Sequence, residues 1–425
     1  MLAQEDSELT PKCLRISNVY RVQLFNDSTV QQILTNLLHL TRNSKSNALN
    51  LSTVKENCIK TIGSLSDFLE NGNSLKDCVI QDIDFSALNI SWHSVKIDNT
   101  TFMGCRLPLE EEITLRRKGA YIYAHPKDEP FNPYRLRLYT WRELMQGWTP
   151  EKDDSLDLKI YESFSSSRHN PSINEALCQR IHDNSIDEAL RKLLGSNGKG
   201  MTDRKCVAFM GGHGTLRTDE WFVKTARTAK LVAEAGYFVV SGGGPGIMEA
   251  TNLGAYFAGK GDDELNLALR MLAEAPHYSD ADFNTKAMEV LEKFPDGNAS
   301  LAVPTWFYGH EPSNLFASHI AKYFSNSIRE DTLLAIALYG IVFAPGSAGT
   351  TQEIFQDATQ NHYATFNYYS PMVFLSRKRY EVDTLIYPLL RQLAYGNEYA
   401  DMLHLTDEPT DVLAFLQAHP PREKG

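Results

Sequence analysis

Phe343-Ala344-Pro345-Gly346-Ser347-Ala348-Gly349-Thr350-Thr351-Gln352-Glu353-Ile354 is the stretch on which the reading of this chain turns. An apolar run from Leu333 to Ala344 leads into it and ends in a β-like segment. After it, Ile354, Phe355 and Ala358 recur at helical spacing. The stretch therefore reads as strand, small-residue turn, helix. Such a turn leaves the unpaired N–H groups of a helix's first turn facing outward with the positive end of the dipole behind them, which suits a phosphate. Gly346 and Gly349 let backbone approach a ligand, and Ser347, Ala348, Thr350 and Thr351 complete the cradle. Glu353 falls about one turn into the helix. A carboxylate there repels a phosphate and is better placed to act on an adjoining ribose.

Outward from this stretch the same rhythm repeats. Strands are expected at 206–210, 237–241, 301–305, 340–344 and 372–375, with helices at 219–235, 247–258 and 314–328 between them. Glycine-bearing loops follow three of the strands: Gly211-Gly212-His213-Gly214, Gly242-Gly243-Gly244-Pro245-Gly246, and the Pro345 stretch. Apolar strands alternating with helices mean an α/β fold, a doubly wound parallel sheet covered on both faces. Ligands bind at the carboxyl ends of strands in such sheets. The span 261–297 breaks the rhythm and reads as one or two inserted helices, over 265–274 and 284–293, forming a lid or an oligomer contact.

A chain of 425 residues is long enough for two domains. The boundary is placed at the linker Gly195–Gly200: an N-terminal mixed domain over 1–198 and a nucleotide-binding α/β domain over 199–425. The first opens with a helical stripe, Val30, Ile33, Leu34, Leu37 and Leu38, and a weaker one over 54–69. From 78 to 107 the period becomes five: Ile80, Phe85, Ile90, Val95, Thr100 and Cys105. This resembles a short, degenerate run of pentapeptide repeats, whose β-helix takes the central residue inside. The span 119–171 is rich in aromatics and prolines and reads as a folded connection, and 174–194 as an amphipathic helix.

A net charge of −11, with no cluster of five basic residues, argues against a nucleic-acid partner. Six cysteines without a CxxC pair argue against disulfides and against a zinc site. The acidic start lacks an apolar core, and the longest apolar run, 333–344, is too short for a membrane span. The expected location is the cytoplasm.

Gly242–Ala250 together with Pro345–Glu353 resembles the LONELY GUY (LOG) family, once mislabelled lysine decarboxylases, which are phosphoribohydrolases of nucleoside 5′-monophosphates. The likeness covers roughly 205–375. Gly211-Gly212-His213, Gly-Pro-Gly-Ile-Met-Glu and Glu311-Pro312-Ser313-Asn314 are similar to the longer bacterial nucleotide 5′-monophosphate nucleosidases of this superfamily. Ser347 replaces the second glycine of the family's PGGxGTxxE, while Thr350 and Glu353 stand where the family has them. Arg329 lies one residue further ahead of the motif than the family's catalytic arginine. The resemblance implies Glu353 and Arg329 as catalytic residues. Gly243, Gly244, Gly246, Met248 and Glu249 would line the opposite wall with Gly212 and His213. It also implies no metal, no cofactor, and a homodimer or larger homo-oligomer. The expected reaction is hydrolysis of the N-glycosidic bond to free base and ribose 5-phosphate. The alternative is a non-catalytic nucleotide sensor sharing the fold.

Overall fold

The computed structural model describes residues 13–16, 20–23, 57–72, 74–124, 129–196 and 201–425. They fall into two units, Met1–Asn57 and Cys58–Gly425. In the first, β1 (Cys13–Ile16) and β2 (Tyr20–Gln23) pair antiparallel. The stripe expected over 30–40 lies outside the described residues.

The earliest described part of the second unit is a small coil: β3 (Asn57–Ile59), α1 (Ile62–Glu70), β4 (Ser74–Gln81), β5 (Lys96–Met103), α2 (Leu109–Arg117) and β6 (Tyr121–Tyr123). The sheet order is β3-β4-β5-β6, and β4, β5 and β6 run parallel. Of the period-five residues, Ile80, Phe85, Val95, Thr100 and Cys105 are buried, and Ile90 packs partly buried against them. The period is therefore a real inward face. The coil departs from a pentapeptide square, however. Cys78 pairs with Thr100, an offset of 22 residues that exceeds four pentapeptides. The next turn, Thr101 to Tyr121, contains α2 instead of further repeats.

The core does not stop at the expected 198/199 boundary. After α3 (Trp141–Leu144) and α4 (Leu156–Ser167) comes α5 (Ile173–Leu194), started by a Ser172–Glu175 capping box and ended by Gly195 at φ 67°. Phe131, Leu144, Ile160, Ile186, Leu190 and Leu194 pack in one cluster with the strands that follow. Residues 131–194 thus cover the sheet rather than forming a body of their own.

That sheet has seven strands, all parallel, in the order β10-β9-β8-β7-β11-β13-β14. In chain order its parts are β7 (Cys206–Met210), α6 (Glu220–Glu234), β8 (Phe238–Ser241), α7 (Ile247–Tyr256), α8 (Asp262–Leu272), α9 (Phe283–Lys293), β9 (Leu301–Ala302) and β10 (His319–Ile320). Then come α10 (Asn326–Ile336), β11 (Ile341–Phe343), α11 (Ala348–Tyr363), β12 (Tyr368–Tyr369), β13 (Met372–Leu375), α12 (Ile386–Leu393), β14 (Leu403–Thr406), α13 (Pro409–Ala418) and β15 (Arg422–Glu423), β15 pairing with β12.

Alternation along each strand feeds two cores. Cys206, Ala208 and Met210 of β7 face the cluster with α5, α10, α11 and α12, whereas Val207 and Phe209 face α6, α7 and α13. The sheet is thus covered on both faces, as the continuous apolar strands require.

Two sequence expectations are corrected. The helix placed over 314–328 is instead a loop, the two-residue strand β10, and the start of α10 at Asn326. Asn314 is occupied by hydrogen bonds to Met248 O (3.1 Å) and Asn252 Oδ1 (2.9 Å), which hold its segment extended across α7. The inserted helices α8 and α9 are not a lid: Leu265, Ala268, Leu272 and Val290 pack onto Phe222, Leu253 and Phe257 of α6 and its neighbour α7. At the far edge, Tyr139 N donates to Ile320 O (3.0 Å) and Ile320 N to Tyr139 O (2.9 Å), a single antiparallel rung beside β10.

Candidate functional site

Strand order reverses between β7 and β11, the point where a crevice opens at the carboxyl ends of a doubly wound sheet. A cavity of about 460 Å³ lies there, lined by the loops after β7, β8, β9 and β11. Gly212 N donates to Pro345 O (3.0 Å), tying the first and last of these loops together. Ile247 N donates to Gly212 O (3.1 Å). Gly246 stands at φ 65° where a Cβ would strike the Gly212 and His213 carbonyls, so only glycine fits.

The Pro345 loop turns β11 into α11. Ser347, the N-cap of α11, makes no side-chain cap, and no acid occupies the first turn. The helix mouth is open: Ser347, Ala348, Gly349 and Thr350 line the cavity, and a Cβ on Gly349 would meet nothing within 4 Å. The loop is braced from behind. Tyr380 Oη donates to Ala344 O (2.6 Å), and an Arg379 Nη donates to Gly346 O. Gly346 is a packing glycine, since a Cβ would collide with Thr350 Oγ1. Thr351 turns away from the cavity and donates to Ser347 O (3.0 Å).

Glu353 and Arg329 meet, Oε1 to Nη1 at 3.2 Å, their side chains only 14% and 10% exposed. Both line the cavity. Burial raises the Glu353 carboxyl above the usual glutamate range, the Arg329 guanidinium pulls it back down, and nearby Glu330 pushes it up. Arg329 Nε is buried without a partner. Glu330 is fixed by Asn326 Nδ2 (2.6 Å) and Gln352 Nε2 (2.7 Å).

On the other wall, Gly243 N donates to Ser241 Oγ (3.0 Å), which donates to Asn252 Oδ1 (2.6 Å). Gly243, Gly244 and Met248 line the cavity. Glu249 does not. Successive helix residues point about 100° apart, so with Met248 turned inward Glu249 points to the side, off the cavity. There it pairs with buried Arg217 (Nε–Oε2 2.8 Å, Nη2–Oε1 2.5 Å), which also donates to Ala275 O and Phe283 O. Gly246 and Gly346 likewise serve the loops rather than the lining. His213 lines the cavity, its Nδ1 2.7 Å from Glu311 Oε1 and its ring stacked on Tyr278.

Lys322, Tyr308, Glu311 and Glu330 also line the cavity. Glu311 had a signal in Glu311-Pro312-Ser313-Asn314. Lys322 had none, because its segment reads as a helix. Asp357, one turn beyond Glu353, is buried outside the lining with one oxygen unpartnered, and burial pushes its carboxyl up to about 8.

No protein-family model and no curated protein matches the chain. Among solved structures, the chain is similar to a molybdenum cofactor carrier protein from Chlamydomonas reinhardtii at 16% identity and a TM-score of 0.33, covering 51% of this chain and 99% of that one. A molybdenum cofactor binding protein from Rippkaea orientalis matches at 12% identity and a TM-score of 0.33, over 51% of this chain and 98% of that one. DNA processing protein A from Streptococcus pneumoniae matches at 12% identity and 0.30, over 66% and 98%. Among the described residues no helix is long and apolar enough to cross a membrane.

Proposed function

We propose that this protein hydrolyses the N-glycosidic bond of nucleoside 5′-monophosphates, giving free base and ribose 5-phosphate. The observation that carries the reading is the Glu353–Arg329 pair standing in the cavity beside the open mouth of α11. The phosphate takes the free N–H groups of residues 347–350. Glu353, one turn further in, meets the ribose, where cleavage develops positive charge at C1′. A carboxylate there stabilises that charge and takes the proton of the attacking water. Arg329 keeps Glu353 ionised and, through its remaining donors, holds a ligand oxygen. His213, backed by Glu311, stands on the facing loop, where its Nε2 hands a proton to the departing base.

The test is incubation of purified protein with AMP, GMP, CMP and UMP, following free base and ribose 5-phosphate by chromatography. Release of both products, abolished in Glu353→Gln, is the expected result. Saturable binding with no product would instead mark the site as a nucleotide sensor. No binding of any of the four would remove the reading altogether. Within the enzyme reading, His213→Gln should slow nucleotide cleavage yet spare p-nitrophenyl ribose 5-phosphate, whose leaving group needs no proton.

A further inference from the structure

We propose that Lys322 is a ligand-contacting cation at the end of the cavity remote from the phosphate cradle, and that Asp157 of α4 is its positioning residue. This rests on the reading that an anion sits at the mouth of α11. Lys322 is 3% exposed and yet lines the cavity. Its Nζ lies 2.8 Å from Asp157 Oδ1 and 2.9 Å from Oδ2. Asp157, 1% exposed, also accepts from Trp306 Nε1 (2.7 Å) and Ser313 Oγ (2.8 Å). Both carboxylate oxygens are thereby fixed, and the ammonium sits over the Trp306 ring at 5.2 Å.

An ammonium carries three donors, and Asp157 occupies at most two. The third is left for the cavity. A buried ion pair is weak evidence of stabilisation, since desolvation offsets most of its attraction. A pair that lines a cavity has a different use: it presents a fixed donor.

The sheet order says where that donor stands. Lys322 follows β10, and the Thr305–Tyr323 bridge carries the parallel ladder past it. The strand β10 borders the sheet, with β9, β8 and β7 between it and β11. A ligand whose phosphate rests at α11 therefore presents its base end to Lys322, which reads a hydrogen-bond acceptor there. Asp183 of α5 supports the same wall by accepting from Phe324 N (3.0 Å) and Ser325 N (2.9 Å). The segment ahead of the sheet thus builds part of the site.

The measurement is calorimetric binding to Glu353→Gln protein, which blocks turnover, using the tightest of AMP, GMP, CMP and UMP against ribose 5-phosphate. Adding Lys322→Met is expected to weaken the nucleotide about tenfold and leave ribose 5-phosphate unchanged. Asp157→Asn should show the same selective loss. The double change, which leaves no buried charge unpaired, should be no worse than Lys322→Met alone. Equal loss for both probes, or loss for neither, overturns the assignment while the phosphate site stands. If ribose 5-phosphate and nucleotides both fail to bind the parent protein, the phosphate site falls and takes this assignment with it.

Discussion

Glu249 and Glu353 each close a glycine-bearing loop motif and each meets an arginine, yet the two pairs differ in kind. Arg217 grips both oxygens of Glu249, their side chains are 1% and 5% exposed, and the remaining guanidinium donors go to backbone carbonyls. Arg329 touches one oxygen of Glu353 at 3.2 Å, leaves Nε without a partner, and faces a cavity. A pair satisfied on every side holds α7 to the segment 275–283. A pair left partly unsatisfied beside an open helix mouth has capacity for a ligand.

The largest expected effect is on Glu353. Glu353→Gln should lower nucleotide turnover by about 10²–10⁴-fold, read on protein whose thermal midpoint confirms folding, since the change leaves Arg329 without its carboxylate. Next is Arg217→Met, which strands Glu249 and should lower unfolding free energy by about 3–5 kcal/mol, measured by urea titration. If it spared stability and abolished ligand binding instead, the contrast between the pairs would be wrong.

Smaller is the pH effect. On the proposed mechanism turnover needs Glu353 ionised, and burial raises its pKa, so activity should fall with acid at a higher pH than an ordinary glutamate would give. Arg329 opposes that rise, so Arg329→Met should move the acid limb of the pH–rate profile higher still. A limb that stays put would separate Arg329 from Glu353 in function.

The smallest concerns Asp357, whose carboxyl is raised from 3.8 to about 8. Its neutral form favours folding fully below the unfolded pKa, and that benefit is lost as pH rises through about 8. Asp357→Asn should therefore stabilise increasingly across that window, by at least about 1 kcal/mol at its top. Thermal midpoints across the same range check it.

The sequence carried the sheet because β7, β8, β11 and β13 are apolar runs, the first three closed by glycine loops, and the Pro345 stretch reads as a turn into a helix. It carried the period-five face of the coil, but not the 22-residue rung, because Ile83, Trp92 and Phe102 enter the same interior off that period. The role of Glu249 was illegible because its partner Arg217 lies 32 positions away and carries no pattern. Lys322 was hidden for a related reason: Asp157, which orders it, is 165 residues distant. The β10 segment misled because a two-residue strand offers too few positions for alternation to show.

The rung that Tyr139 forms with Ile320 has a consequence for assembly. An exposed border strand invites another chain to add itself by main-chain pairing. Here the outer N–H and C=O of Ile320 are already consumed from within. Filament-like growth through that border is blocked, and any association of copies on that side must run through side-chain surfaces.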